Sequence, residues 1–306
     1  MKTKAYRNWL AKGSFYNICG RQIFVIDTNA HNSKKGNGNH SSDGNKPVLC
    51  ILHGFPTSSF DYWKVIDALS EQFRVIIHDH LGFGFSDKPI DYSYSLIDQT
   101  DIALCLWKQL NIESAIILAH DYGTSIATEL LARDNVGLCP IKIQQLVLCN
   151  GSIHIELAKL RFMQKLLRNR FIGKLVAKIS NKSILGKNLR NIYFDQSKIS
   201  QDEIDTIWAM MTHNNGKEVL ARVSRYTFER HTLWYRWIGA LKQTPIPIKI
   251  VWPENDPIAI AEMARVIEKE TKNSKLYWLQ DAGHFPMLEV PDSWLSEVIS
   301  AISNPI

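Results

Sequence analysis

Apolar residues along this chain fall into two patterns. Short, largely apolar runs occur at 47–52, 74–77, 116–119, 144–149, 246–252 and 276–279, the first of them continuous. Runs of about four to eight apolar residues without alternation suit strands covered on both faces. Between them, apolar positions recur every third or fourth residue, which predicts helices at about 61–70, 95–110, from the run at 116–119 to about Asp134, and at 293–303. Near the start, 14–18 and 22–26 read as two further strands, joined at Gly20-Arg21. Strands alternating with helices predict an α/β fold with a mostly parallel, doubly wound sheet.

Two stretches break the alternation. Residues 29–46 are dominated by Asn, Ser, Gly, Lys and His with no apolar periodicity, which predicts a flexible surface loop. Residues 153–242 carry no strong strand signal, and Leu160, Met163, Leu166, Leu167, Phe171, Leu175 and Ile179 fall at helical spacing. An insertion there, after one sheet strand and before the next, would sit over the sheet's C-terminal edge as a helical cap. The expected organisation is core over 1–152, cap over 153–242, and core again over 243–306.

The 306 residues, 45% of them hydrophobic, suffice for one large α/β domain with an insertion. No apolar run reaches the roughly eighteen residues of a spanning helix, and the start lacks the apolar core of a signal peptide. Five cysteines lack Cys-x-x-Cys spacing, and four lie in apolar surroundings. Buried free thiols and a cytoplasmic location are expected, so the sequon at Asn39 carries little weight. The net charge of +6 is uneven: residues 159–190 hold Lys and Arg repeatedly and no acid. That run reads either as a solvated face of cap helices or as a patch for anionic lipid headgroups or an acidic partner. No nucleic-acid motif is visible.

The run at 116–119 ends abruptly, and His120-Asp121-Tyr122-Gly123 leads straight into a helix-forming stretch. A strand turning directly into a helix pushes the apex side chain out over the sheet edge, as in the nucleophile elbow G-x-S-x-G. Here the apex is Asp121, and the first glycine is replaced by Ala119. A carboxylate nucleophile attacks an electrophilic sp³ carbon and leaves an alkyl ester, which an activated water must hydrolyse. His284, in the loop after the last strand, is the candidate base. Asp256, directly after the run at 246–252, is the candidate acid, with Glu254 as a rival. The order nucleophile, acid, histidine is the one this elbow expects. Asn150-Gly151, at the other common acid position, offers no charge. An Asp in a strand-end loop is often only a turn residue and a lone His is often structural, but three such residues on three strand ends in this order point to catalysis. The oxyanion of the second step needs N–H donors, expected from Tyr122 and from Phe55 in the His53-Gly54-Phe55-Pro56 loop. No cofactor or metal is implied.

These loops, together with 81–89 (LGFGFSDKP), resemble the α/β-hydrolase branch of epoxide hydrolases and haloalkane dehalogenases. More narrowly, HGFPTSS, LGFGFSDKP, HDYG, the stretch 236–241 (RWIGAL) and 9–15 (WLAKGSF) are similar to the group formed by mesoderm-specific transcript protein and its relatives. The resemblance implies a hydrolase that acts on a small apolar electrophile. Dehalogenases usually follow the nucleophile with Trp, which holds the halide; this chain has Tyr122, and Phe55 where one group places a halide-binding Asn. Epoxide hydrolases share HGFP, although they too usually show Trp after the nucleophile, and use cap tyrosines to protonate the opening oxygen. The resemblance makes Tyr235 a candidate, with Tyr193 and Tyr226 as possible seconds. Epoxide hydrolysis therefore leads over dehalogenation. Lactone or ester hydrolysis, and a receptor-like protein that binds a ligand in the capped pocket, remain as alternatives.

Overall fold

The computed structural model describes residues 2–29 and 46–306; the loop expected at 29–46 and the sequon at Asn39 lie almost wholly outside the described residues. Eight strands form one sheet: β1 Ser14–Ile18, β2 Arg21–Asp27, β3 Val48–Leu52, β4 Arg74–His78, β5 Ser114–His120, β6 Lys142–Cys149, β7 Ile248–Pro253 and β8 Ser274–Leu279. Their spatial order is β1-β2-β4-β3-β5-β6-β7-β8. The pairs β1–β2 and β2–β4 are antiparallel and every other pair is parallel.

The apolar runs follow from this arrangement. Cys50 and Leu52 of β3 and Ile117 and Ala119 of β5 face one buried cluster, whereas Leu49, Ile51, Ile116 and Leu118 face another. Both faces are covered, so alternation with polar residues is absent. Burying such side chains contributes roughly 1.5–3 kcal/mol each, which makes the central strands the stable platform of the molecule.

Helices Leu96–Gln109 and Tyr122–Asp134 match the expected positions, as does Pro291–Ser303. The helix expected at 61–70 is instead a 3₁₀ turn, Ser59–Tyr62, followed by Ile66–Gln72. A short helix at the start, Lys4–Lys12, is capped by the Thr3 hydroxyl and tied to the insertion by Thr3 Oγ1 and Thr206 Oγ1 at 2.6 Å. Its Trp9 indole donates to Ser59 Oγ at 3.0 Å, and Gly13 lies so near Phe24 that a Cβ would approach within 2.3 Å. Those contacts account for the first-segment motif.

Between β6 and β7 the described chain is helical. The stretch expected as one helix is split into Phe162–Leu167 and Gly173–Ile179. Helix Trp234–Gln243 lies against the elbow helix, and Glu129 joins them: it accepts from Arg236 Nε at 2.8 Å and from Trp237 Nε1 at 2.9 Å. The 81–89 loop is equally structural. Buried Asp79 accepts from Ser59 N–H and Phe85 N–H, while buried Lys88 donates to the carbonyls of Phe83, Gly84 and Ser86. Gly84, at φ +46, has no room for a Cβ beside the Asp79 carboxylate.

All five cysteines are free, but only Cys50 and Cys149 are buried; Cys19 and Cys105 are exposed. Cys19 occupies the β1–β2 turn at φ 51, and Cys105 sits on the outer face of its helix, so apolar sequence neighbours did not mean burial.

Candidate active site

β5 ends at His120, and the next residue, Asp121, adopts φ 42 and ψ −104 at the head of helix Tyr122–Asp134. A non-glycine residue in that region is strained, and such strain persists where the surroundings impose it. They do: Gly123 N–H donates to His53 C=O at 3.1 Å, and a Cβ on Gly123 would meet Leu52 O at 2.2 Å. The helix start therefore packs directly on β3. Asp121 is buried, and its Oδ2 accepts from Phe55 N–H at 3.0 Å. The Tyr122 amide heads the helix, where the first N–H groups have no partner within it.

His284 and Asp256 meet at 2.7 Å, Nδ1 to Oδ2. The other Asp256 oxygen accepts from Ile258 N–H at 2.7 Å and Ala259 N–H at 3.0 Å, which locks the carboxylate. The rival Glu254 is not at the site; its carboxylate meets Gln280 at 3.4 Å in an exposed position. Asn150, at φ 50, adds a neutral support: its Nδ2 donates to Asp256 Oδ2 at 2.7 Å. Burial alone would lower the His284 pKa, but the charge and hydrogen bond of Asp256, reinforced by Asp121, raise it above its ordinary value.

The tyrosine candidates separate. Tyr226 is buried, with its ring 4.9 Å from Tyr122, 5.5 Å from Phe55 and 4.5 Å from the Arg230 guanidinium carbon. Burial and then the Asp121 charge raise its pKa. Tyr193 packs on Phe285 beside the His284 loop, its buried hydroxyl without a hydrogen-bond partner among the described residues. Tyr235 is not brought to the site: it is 63% exposed, because helix Trp234–Gln243 turns Trp237, Ile238 and Leu241 inward instead. The Tyr122 ring is buried against His80 and Phe83.

Sequence reasoning missed Arg230. Its side chain is 1% exposed; Nε donates to Ser125 Oγ at 2.7 Å and Nη2 to the Asp121 carbonyl at 2.9 Å. Nη2 also lies 3.8 Å from Asp121 Oδ1. Only the i, i+4 pairing with Tyr226 could have marked it, and that spacing is common. Misplacing the elbow by about 1 Å should slow Arg230→Met by roughly 10²-fold in kcat with KM little changed. Lys, lacking the fork, should recover little of this. Steady-state kinetics alongside Tm would check it; a lowered Tm with unaltered kcat would contradict it.

Phe55, Ile258 and His284 line a cavity that continues between inserted residues such as Met163, Leu185 and Trp208. Among the described residues no cluster of metal-ligating side chains occurs, and no helix is long and apolar enough to cross a membrane.

Comparison with known proteins agrees with this architecture. The alpha/beta hydrolase fold family matches residues 47–291. The chain is 33% identical over 302 residues to the putative hydrolase LipZ of Mycobacterium tuberculosis, covering 99% of each. It is 31% identical over 307 residues to the human mesoderm-specific transcript homolog protein, covering 98% of this chain and 88% of that one. The epoxide hydrolase CorEH superposes with a TM-score of 0.74 at 17% identity, covering 95% and 98% of the two chains.

Proposed function

The chain belongs to the alpha/beta hydrolase fold family, and from that premise we propose that it hydrolyses a small apolar epoxide through an ester on Asp121. The carrying observation is an Asp at the elbow apex with one carboxylate oxygen held by Phe55 N–H and a His284–Asp256 pair beside it. With Oδ2 fixed, Oδ1 attacks the ring carbon, and the C–O bond breaks toward the ring oxygen. Tyr226 is the proposed proton donor to that oxygen.

Esterification neutralises Asp121 and so removes one of the charges that hold a proton on His284. The neutral imidazole then takes a proton from water, and the resulting hydroxide attacks the ester carbonyl. Phe55 and Tyr122 N–H groups receive the oxyanion, which collapses to release the diol and free Asp121, while the proton that His284 took from water returns to the Tyr226 phenolate. The division into core (1–152, 243–306) and cap (153–242) belongs to this proposal, as does the candidate role of Tyr193.

Dehalogenation fits less well, since the Tyr122 ring is buried and offers no indole N–H to a halide. A strained lactone is the second reading. The Arg230 cation, 3.8 Å from Oδ1, would favour the carboxylate that lactone opening releases. Wild-type protein offered matched epoxides, haloalkanes and lactones should form the diol. Halide release without diol would overturn the epoxide reading, and lactone hydrolysis alone would install the second.

A further inference from the structure

The inserted helix Gly173–Ile179 is amphipathic in an unusual sense. Gly173, Val176 and Ala177 face inward and are buried. Outward stand Leu175 and Ile179, 60% and 64% exposed, and Phe171, in the turn just before the helix, is 88% exposed. Phe162, one short helix earlier, is 72% exposed. Lys174 and Lys178 run beside this stripe, with Lys165 and Arg170 also exposed around it, and no acid occurs in the sequence between Glu156 and Asp195.

A solvated helix face would carry polar residues at the stripe, and a nucleic-acid surface has no use for aliphatic ones. Large apolar side chains set among cations match the interfacial zone of an anionic bilayer, where the apolar groups enter the acyl boundary and the cations meet headgroups. The cavity reaches the same surface: Arg161, Met163 and Gln164 line it before this helix, and Ser180, Asn181 and Ile184 after it.

We propose that this helix and its flanks dock the protein on an anionic lipid bilayer, so that the cavity takes its apolar substrate from the lipid phase. The docking stands on the patch alone; the access route rests also on the hydrolase reading. The test is co-sedimentation of the full chain with vesicles of phosphatidylcholine, with or without phosphatidylserine. Each Lys or Arg near the surface is worth about fivefold in binding, so recovery should rise steeply with phosphatidylserine and fall with salt. Phe171→Ser/Leu175→Ser/Ile179→Ser, confined to exposed positions, should keep its Tm and its turnover of a water-soluble epoxide while remaining in the supernatant. Equal recovery with both vesicle types, or wild-type recovery of the triple variant, would overturn the docking. An epoxide dissolved in anionic vesicles should be turned over faster by wild type than by the triple variant. Equal rates, with the soluble epoxide still consumed, would overturn the access route. If wild type consumes neither epoxide, the hydrolase reading and the access route fall together, and vesicle recovery decides the docking separately.

Discussion

His284→Gln should leave the first chemical step intact and stall the second. Attack by Asp121 on a ring carbon needs an anionic carboxylate held at Phe55 N–H, and that contact does not involve the imidazole. Hydrolysis of the ester needs a base, and Gln is none. Loss of a general base costs roughly 10²–10⁴-fold, so steady-state turnover should fall by that factor while a single stoichiometric burst of substrate consumption remains. Gln can still bond Asp256 and fill the same space, so Tm should change little. A variant that lost the burst together with turnover would place His284 in the first step and contradict the assignment.

The second large effect concerns acid. Four histidines lie fully buried beneath the elbow: His53, His78, His80 and His120. His53 Nδ1–H donates to Gly54 C=O at 2.9 Å while its Nε2 accepts from His80 N–H at 3.0 Å, so a second ring proton would have to displace a backbone donor. His78 has both ring nitrogens unpartnered among the described residues, and no group waits to receive its charge. Burial accordingly lowers His53 and His78 to about 3 and His120 to about 4, and lowers His80 as well.

Each depressed histidine stays neutral in the fold but takes up a proton in the unfolded chain below its ordinary value of about 6.5. Stability is therefore complete above that pH and falls as pH drops toward 4. Asp61 works the other way, because burial raises its pKa and so favours the neutral carboxyl in the fold. His284, being raised, adds no slope below 6.5. Burial also lowers His213 and raises Glu229 and Glu289, so part of the effect cancels; each net proton that remains is worth roughly 1.4 kcal/mol per pH unit, and stability should fall as pH drops from about 6.5 toward 4. Urea titrations at successive pH values would measure it, and His78→Leu should flatten the slope by about one proton. A slope of one proton or less in the wild type would contradict the account.

The strands and the three strand-end residues were legible for the same reason. A doubly covered sheet writes itself as largely apolar runs, and this fold presents its chemistry at the ends of those runs. Asp256 and His284 could thus be placed by order alone, and the 2.7 Å contact to His284 falls on Asp256 rather than on its rival Glu254. Helix phase was not legible. The spacing through Phe171, Leu175 and Ile179 is the same whether the stripe faces the core or solvent, and here it faces outward. Tyr235 failed likewise, because its helix carries apolar residues on more than one side. Arg230 left no trace beyond a common i, i+4 spacing from Tyr226, since its partners Asp121 and Ser125 lie more than a hundred positions away.

The proposed ester on Asp121 is most directly tested by the intact mass of His284→Gln after incubation with a panel of epoxides, with Asp121→Asn as control. A gain equal to one whole epoxide, absent from the Asp121→Asn protein, is the expected result. An adduct that persists in the Asp121→Asn control, or no adduct from any epoxide that the wild type consumes, would contradict it.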